Sequence, residues 1–162
     1  MSRLYSLITE RINSDFLKIS GWGNNKPAWY YLDPTTGIMQ TGWKQIGNKW
    51  YYLRSSGAMT TGWYQEGSTW YYLDAENGDM KTGWQYLGNK WYYLRSSGAM
   101  ATGWVKDGST WYYLNASNGD MKTGWTKVNG NWYYLNSNGA MVTGSQTIDG
   151  KVYNFASSGE WI

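Results

Sequence analysis

The chain of 162 residues contains no cysteine and no histidine, and only two prolines and two phenylalanines. The lack of cysteine excludes disulfides and thiolate chemistry, and the lack of histidine removes the commonest general base and metal ligand. No stretch is long and apolar enough to form a transmembrane helix. The longest apolar-leaning run near the start, Leu4 to Thr9, is too short for the core of a signal peptide, so export cannot be read from the sequence.

Charged side chains are also few and nearly balanced. The 14 Lys and Arg stand against 11 Asp and Glu, for a net charge of +3, and no basic run occurs. This balance excludes the basic groove that a nucleic-acid partner requires. The only carboxylate cluster, Asp74 with Glu76 and Asp79, lies in a loop and is typical of exposed turn residues. We therefore predict no catalytic site, no metal and no cofactor.

Tryptophan and tyrosine, by contrast, are abundant and regularly spaced: the chain has 13 Trp and 16 Tyr, together with 21 Gly. Both rings combine an apolar body with a polar edge, which suits a half-exposed binding surface. A first Trp follows Gly at alternating intervals of 21 and 20 residues, at Trp22, Trp43, Trp63, Trp84, Trp104 and Trp125. A second Trp, seven residues later, always opens the tetrapeptide WYYL, at Trp29, Trp50, Trp70, Trp91, Trp111 and Trp132. The full period is therefore a pair of repeats, 41 residues.

Each repeat predicts a β-hairpin. Between its two Trp lies a dipeptide such as Gly47-Asn48 or Asn129-Gly130, which favours a two-residue turn because Gly and Asn adopt the positive φ required there. Centring the turn on Gly47-Asn48 places Trp43 opposite Tyr52. An isolated hairpin is only marginally stable in water, so the hairpins must stack on one another. We predict an all-β, repetitive β-hairpin solenoid.

The two faces of each hairpin have different compositions. Neighbouring residues of a strand alternate between faces, so Trp43, Trp50 and Tyr52 share one aromatic face. Tyr51 and Leu53 lie on the opposite face, which is expected to form the core between hairpins. The first face is the candidate binding surface.

The two ends of the chain depart from the repeat. Residues 1–20 carry apolar side chains at helical spacing and are predicted to form an amphipathic helix or a linker, left from a longer protein. Residues 21–162 form the repeat solenoid. Its last repeat, residues 143–162, has Ser145 and Val152 in place of the two Trp and Trp161 in place of Met, which is typical of a capping repeat.

The aromatic face suits a particular ligand chemistry. Two Trp of one hairpin and a third ring from the next hairpin form a box for a quaternary ammonium group, which has no N–H donors and binds through ring quadrupoles and apolar contact. A methionine at a fixed place in each repeat supplies an adaptable fourth wall, at Met39, Met59, Met80, Met100, Met121 and Met141. The sequence thus favours an aromatic cage for a cation.

The pattern TGW, then WYYL seven residues after the Trp, then G-x-M resembles the choline-binding repeats of surface proteins and lytic enzymes of Gram-positive cocci and their phages. The resemblance covers residues 21–162. It implies a left-handed superhelix of about seven hairpins, with choline held between consecutive hairpins by two Trp of one, a Tyr of the next and a Met.

Five sites follow from this resemblance when the second Tyr of each WYYL is taken as the third ring, because that Tyr shares a face with the Trp pair. They comprise, in chain order, Trp22, Trp29, Tyr52 and Met59; Trp43, Trp50, Tyr72 and Met80; Trp63, Trp70, Tyr93 and Met100; Trp84, Trp91, Tyr113 and Met121; and Trp104, Trp111, Tyr134 and Met141. A sixth site at Trp125 and Trp132 departs from the pattern, because Asn154 stands where the Tyr is expected and Trp161 where the Met is expected.

The implied partner is choline or phosphocholine on teichoic or lipoteichoic acid, and the implied location is the cell wall or cell surface. The implied role is non-catalytic anchoring, with any wall-degrading domain lying outside this chain. The sequence leaves open a homodimer formed through an end hairpin. The alternative function is glucan binding, since sugar rings also stack on aromatic faces, although such a site would need more convergent polar groups beside the rings.

Overall fold

The computed structural model describes residues 8–11, 16–19 and 28–162. These residues form strands joined by turns, and among them no helix could cross a membrane. The strands are β1 (Ile8–Arg11), β2 (Phe16–Ile19), β3 (Ala28–Tyr31), β4 (Gly42–Ile46), β5 (Lys49–Leu53), β6 (Gly62–Glu66), β7 (Thr69–Leu73), β8 (Gly83–Leu87), β9 (Lys90–Leu94), β10 (Gly103–Asp107), β11 (Thr110–Leu114), β12 (Gly124–Val128), β13 (Asn131–Leu135), β14 (Gly144–Ile148) and β15 (Lys151–Phe155). The predicted all-β fold of repeated hairpins is confirmed.

Six of the sheets are two-stranded antiparallel hairpins with one common register, from β4–β5 to β14–β15. In β4–β5, Trp43 lies opposite Tyr52 and Gln45 opposite Trp50, as predicted. The turns are formed by the predicted dipeptides: Asn129 and Gly130, for example, adopt φ of 50° and 93°. Local turn chemistry and strand alternation therefore determine the hairpin.

The chain divides into two compact units, one ending at Lys81 and the other comprising Thr82–Ile162. Within each unit, the loop after a hairpin docks on the hairpin before it. In the second unit the backbone N–H of Met121 donates to the carbonyl of Trp91 at 2.8 Å, and Met141 does the same to Trp111. In the first unit Met80 donates to Trp50 at 2.7 Å. These bonds attach each hairpin to the carbonyl of the second Trp of its predecessor.

The leucine of each WYYL forms the centre of the core. Its side chain is fully buried in Leu53, Leu73, Leu94, Leu114 and Leu135. The second Trp of the repeat, by contrast, is exposed at 38–43% in Trp50, Trp70, Trp91, Trp111 and Trp132. The assignment of Leu53 to the core face is confirmed, and it leaves the second Trp available to a ligand.

The prediction of a helix within residues 1–20 differs from the structure. The described residues there form β1 and β2, which join β3 in a three-stranded sheet. Phe16 is buried, with its ring centroid 5.6 Å from that of Tyr31 and 4.9 Å from that of Tyr51. Helical spacing of apolar residues misled the prediction because pairing with β3 satisfies the backbone of β2 and buries Phe16 at the same time.

Candidate functional site

A cavity of about 280 Å³ lies between β10–β11 and the following repeat, lined by Trp104, Trp111, Tyr133, Met141 and Ser158. The two indoles meet nearly at right angles, with centroids 6.4 Å apart and an interplanar angle of 89°. Tyr133 packs edge-on against Trp104 at 4.8 Å. We call Trp104, Trp111, Tyr133 and Met141 the Trp104 cage.

An equivalent cavity of about 340 Å³ lies one repeat earlier, lined by Trp84, Trp91, Tyr112, Met121, Ser137 and Asn138. Trp84 and Trp91 are again 6.4 Å apart at 83°, and Tyr112 lies 4.7 Å from Trp84. We call Trp84, Trp91, Tyr112 and Met121 the Trp84 cage. Each cage presents ring faces and a thioether to one small open cavity.

The tyrosine of each cage is the first of the WYYL pair, not the second as the sequence analysis predicted. Tyr134 instead lies 5.4 Å from Trp125 in its own hairpin, and Tyr113 lies 5.0 Å from Trp104 in its own. Strand alternation assigned the side chains to the correct faces. However, a hairpin contacts the preceding hairpin through the face opposite to its own Trp pair. That face carries Tyr133, which therefore closes the Trp104 cage.

In the first unit, Trp43 follows the same arrangement. Its ring lies 4.9 Å from Tyr71, whereas the predicted partner, Tyr72, lies 5.2 Å from Trp63 of its own hairpin. Met80 docks on Trp50 through its backbone. An additional ring, Tyr64, lies 5.9 Å from Trp43, and in the second unit Tyr86 likewise lies 5.2 Å from Trp91 of the Trp84 cage.

The first predicted site includes Trp22, which lies outside the described residues. Strand β2 is paired with β3 so that Phe16 lies opposite Tyr31, the position that Trp43 occupies opposite Tyr52. Phe16 also contacts Tyr51, as Trp43 contacts Tyr71. Met59 donates to the carbonyl of Trp29 at 2.7 Å. The structure thus brings Phe16 to the place predicted for Trp22, and Tyr51 to the place predicted for Tyr52.

The sixth site is more complete than the sequence suggested. The first Tyr of the pair lines a cage, so the replacement of the second Tyr by Asn154 does not remove a cage wall. The cage tyrosine, Tyr153, is present and lies 4.9 Å from Trp125. Trp125 and Trp132 are 6.4 Å apart at 84°, like the other pairs. The ring of Trp161 lies 5.7 Å from that of Trp125, and the backbone N–H of Trp161 donates to the carbonyl of Trp132 at 2.8 Å. Trp161 therefore stands in the position that Met occupies elsewhere.

The remaining predicted site combines residues of the two units and stays a prediction. Trp63 and Trp70, in the first unit, are 6.3 Å apart at 85°, as in the other Trp pairs. Tyr93, in the second unit, lies 5.0 Å from Trp84 of its own hairpin. The second Tyr of the other WYYL segments described above is arranged in the same way. Met100 packs against the position of Gly119.

Each cage methionine is held by a glycine of the next loop. Gly139 has φ of 81°, and a Cβ there would overlap the sulfur of Met121. Gly159, with φ of 94°, stands in the same relation to Met141. The Gly of G-x-M therefore fulfils two requirements, a left-handed turn and space for the methionine of the preceding repeat.

Charged groups lie at the edges of the cages. The indole N–H of Trp84 donates to Asp107 at 3.0 Å, and that of Trp43 to Glu66 at 3.1 Å. The hydroxyl of Tyr133 donates to Glu160 at 3.1 Å. Burial raises the pKa of Tyr133, and its hydrogen bond to Glu160 raises it further. Lys106 lies 5.8 Å above the ring of Trp111.

The family model for the choline-binding repeat matches residues 40–82, 81–123 and 122–162. The chain belongs to the choline-binding repeat family. Each match spans one pair of repeats, which agrees with the 41-residue period of the sequence. In this family the repeat is a binding module, and the resemblance noted from TGW, WYYL and G-x-M is confirmed.

Solved structures of choline-binding proteins share this fold. CbpJ from Streptococcus pneumoniae TIGR4 is 74% identical, with a TM-score of 0.80 over 88% of this chain and 48% of that one. CbpF in complex with ipratropium is 55% identical, with a TM-score of 0.83 over 93% of this chain and 49% of that one. The pneumococcal cell-wall endolysin of phage Cp-1, complexed with choline, is 40% identical, with a TM-score of 0.54 over 75% and 37%.

The chain thus spans about half the length of CbpJ and CbpF. A search of curated proteins gives no match.

The sequence analysis missed the contribution of a third repeat to the two cavities. Ser137 and Asn138 reach the Trp84 cage and Ser158 reaches the Trp104 cage, although they lie in the loop two repeats after the Trp pair. No local signal in the sequence distinguishes these residues from ordinary turn formers. Among the residues the structure describes, no group of side chains could hold a metal ion.

Proposed function

We propose that this chain is a non-catalytic module that binds choline groups on cell-wall teichoic or lipoteichoic acid and anchors there through several cages at once. The observation that carries the proposal is the repeated cage itself, two perpendicular indoles and a tyrosine around one open cavity with a methionine. Ring faces carry negative quadrupole potential, which attracts a cation, and the lining offers few polar groups to any ligand that needs hydrogen bonds.

The dimensions support a small cationic headgroup. The cavities of about 280 and 340 Å³ lie at the lower end of the range of ligand pockets, roughly 300–1,000 Å³. Their aromatic walls include the exposed Trp91 and Trp111, so a headgroup can enter while the polymer that carries it remains in solvent. A sugar ring would find fewer polar partners in such a cavity than its hydroxyls require.

The relatives support the same ligand class. CbpF has been solved with ipratropium and the Cp-1 endolysin with choline, and both compounds carry a quaternary ammonium group. These relatives are pneumococcal or phage proteins that act at the cell wall or carry choline-binding repeats, which supports an extracellular, wall-associated location. The proposed binding module comprises the repeats of residues 21–162 and also strand β2, because β2 pairs with β3.

Repetition converts weak sites into firm attachment. A desolvated cation–π contact contributes about 2 kcal/mol, and association costs reduce the net gain, so a single cage binds free choline on the order of millimolar. Cages that engage one polymer bearing many cholines gain orders of magnitude through effective concentration. Attachment to a polymer therefore requires several intact cages.

The deciding experiment is retention on a choline or diethylaminoethyl matrix with elution by free choline. We expect retention, and stepwise loss of it as Trp50, Trp91 and Trp111 are replaced by Ala in single, double and triple variants. These three Trp are exposed, so their truncation removes a cage wall at little cost to the core. Soluble teichoic acid with and without its phosphocholine groups gives the test on the natural polymer.

Two results would contradict the proposal. Retention on dextran together with failure to bind the choline matrix favours glucan recognition. Complete loss of retention in the folded Trp91→Ala variant contradicts the multivalent mechanism, because the other cages remain intact in that variant.

A further inference from the structure

The cages described above differ in where a carboxylate is attached. In the Trp84 cage, Asp107 accepts a hydrogen bond from the indole N–H of Trp84 at 3.0 Å. In the first unit, Glu66 accepts from the indole N–H of Trp43 at 3.1 Å. Both carboxylates occupy the last residue of the first strand in the following hairpin. They therefore lie at the rim of the preceding cage.

The Trp104 cage has an apolar residue at that position. Val128 is buried there and packs in a cluster with Trp104 and Tyr133. Its carboxylate comes from another direction, since the hydroxyl of Tyr133 donates to Glu160 at 3.1 Å. The hydroxyl of Ser158, which lines the cavity, also hydrogen-bonds Glu160. In the Trp84 cage the loop residue equivalent to Glu160 is Ala140.

The Trp84 and Trp104 cages therefore each have one carboxylate, attached at a different point. Where the strand supplies Asp107, the loop supplies Ala140, and where the strand supplies Val128, the loop supplies Glu160. A carboxylate that accepts the ring's own N–H or O–H shifts electron density into the ring, and its charge adds to the negative potential of the ring face. Both effects favour a cation in the cavity.

We infer that Asp107 and Glu160 are affinity-determining residues that tune the Trp84 and Trp104 cages, respectively, for a cationic ligand through the ring donor each one binds. The inference rests on the proposed binding of choline. Neither carboxylate needs to touch the ligand. Each acts through the ring to which it is hydrogen-bonded and through its charge at the rim.

The test uses the full chain labelled with 5-fluorotryptophan, with the fluorine resonances of Trp91 and Trp111 assigned from single Trp→Phe variants. Each resonance reports binding at one cage. Two ligands are titrated at low salt: choline and 3,3-dimethylbutan-1-ol, which has the same shape with carbon in place of the charged nitrogen. The variants are Asp107→Asn and Glu160→Gln, which keep the acceptor oxygen and remove the charge.

We expect Asp107→Asn to weaken choline at the Trp84 cage about threefold and to leave the Trp104 cage unchanged. Glu160→Gln should do the reverse, so that each variant serves as the control for the other and the unaffected cage reports that the chain is folded. Binding of the neutral alcohol should not change in either variant.

Equal weakening of choline and the alcohol would overturn the inference, because the carboxylate would then only position the ring. Unchanged choline affinity in both variants would also overturn it. If choline shifts neither resonance in the unaltered chain, the proposed function itself fails, which is a distinct result.

Discussion

The ring of Tyr133 lies 4.8 Å from that of Trp104, which belongs to the preceding hairpin, whereas the adjacent Tyr134 packs on Trp125 of its own hairpin. Two neighbouring tyrosines thus serve two successive sites. The relation recurs between Tyr112 and Trp84 and between Tyr153 and Trp125. It determines which substitutions should affect which cage.

Replacing the two tyrosines separately should separate their roles. Tyr133→Leu removes a wall of the Trp104 cage while keeping apolar bulk in the core, so choline binding there should weaken by about 0.5–2 kcal/mol, roughly two- to thirtyfold. Tyr134→Leu should leave that cage unchanged. Titration of choline against the fluorine resonance of Trp111 measures both, and the opposite ranking would support the assignment of Tyr134.

The last cage should bind choline through Trp161. Trp161→Ala removes the ring that lies 5.7 Å from Trp125, and it should weaken binding at Trp132 by a similar amount, about 0.5–2 kcal/mol. Trp161→Met, which restores the residue found in the other repeats, should retain most of the affinity. If choline shifts the fluorine resonance of Trp132 equally in Trp161→Ala and in the unaltered chain, the site binds choline without Trp161, and the prediction is wrong.

Alanine substitution of two glycines should separate backbone strain from loss of space. Gly144 and Gly139 both have positive φ, 70° and 81°, so either substitution costs about 1–3 kcal/mol of strain. Only at Gly139 would the new Cβ also overlap Met121, while at Gly144 nothing lies within 4 Å. Gly139→Ala should therefore be the more destabilising in denaturant unfolding, and it alone should weaken choline binding at Trp91. Equal effects would exclude a role for the methionine contact.

Lys106 should oppose ligand binding in the Trp104 cage. Its ammonium lies 5.8 Å from the ring centroid of Trp111, where it repels a bound cation. Lys106→Gln should strengthen choline binding at this cage about twofold at low salt, and the gain should shrink as salt screens the repulsion. Lys127→Gln, which removes the equivalent charge above Trp132, is the matched control and should leave the Trp111 titration unchanged.

Acid should weaken the first unit through Asp74. The backbone N–H of Asn77 and the ammonium of Lys81, 2.9 Å away, lower the pKa of Asp74 from 3.8 to about 2. A lowered pKa in the folded state adds stability that is present above about pH 4 and is lost as the pH falls through 2. Asp74→Asn should therefore be less stable than the unaltered chain at pH 7.

The difference in thermal midpoint between the Asp74→Asn variant and the unaltered chain should close between pH 4 and pH 2. Glu76→Gln, which removes a carboxylate from the same loop, controls for net charge. If the difference in thermal midpoint persists at pH 2, the ion pair and hydrogen bonds of Asp74 are not its cause.

The hairpins could be derived from the sequence because their determinants are local. A turn dipeptide such as Asn129-Gly130 sets the loop, and strand alternation then assigns every side chain of the hairpin to one of two faces. Trp43 opposite Tyr52 and the buried Leu53 follow from these two rules. The groups that make up the cage also follow from the repeat: two indoles, a phenol and a thioether.

The choice between Tyr133 and Tyr134, the placement of Phe16 and the contribution of Ser158 were decided by tertiary structure. Alternation defines two faces but not which neighbour each face meets, and that depends on how the loop of one repeat docks on the second Trp of the one before. Phe16 takes its place because β2 pairs with β3, a contact that helical spacing in the sequence could not reveal. Which rings occur and how often was thus determined by the sequence, and which of them meet was determined by the stacking of hairpins, because contacts between repeats are not encoded in the period of a single strand.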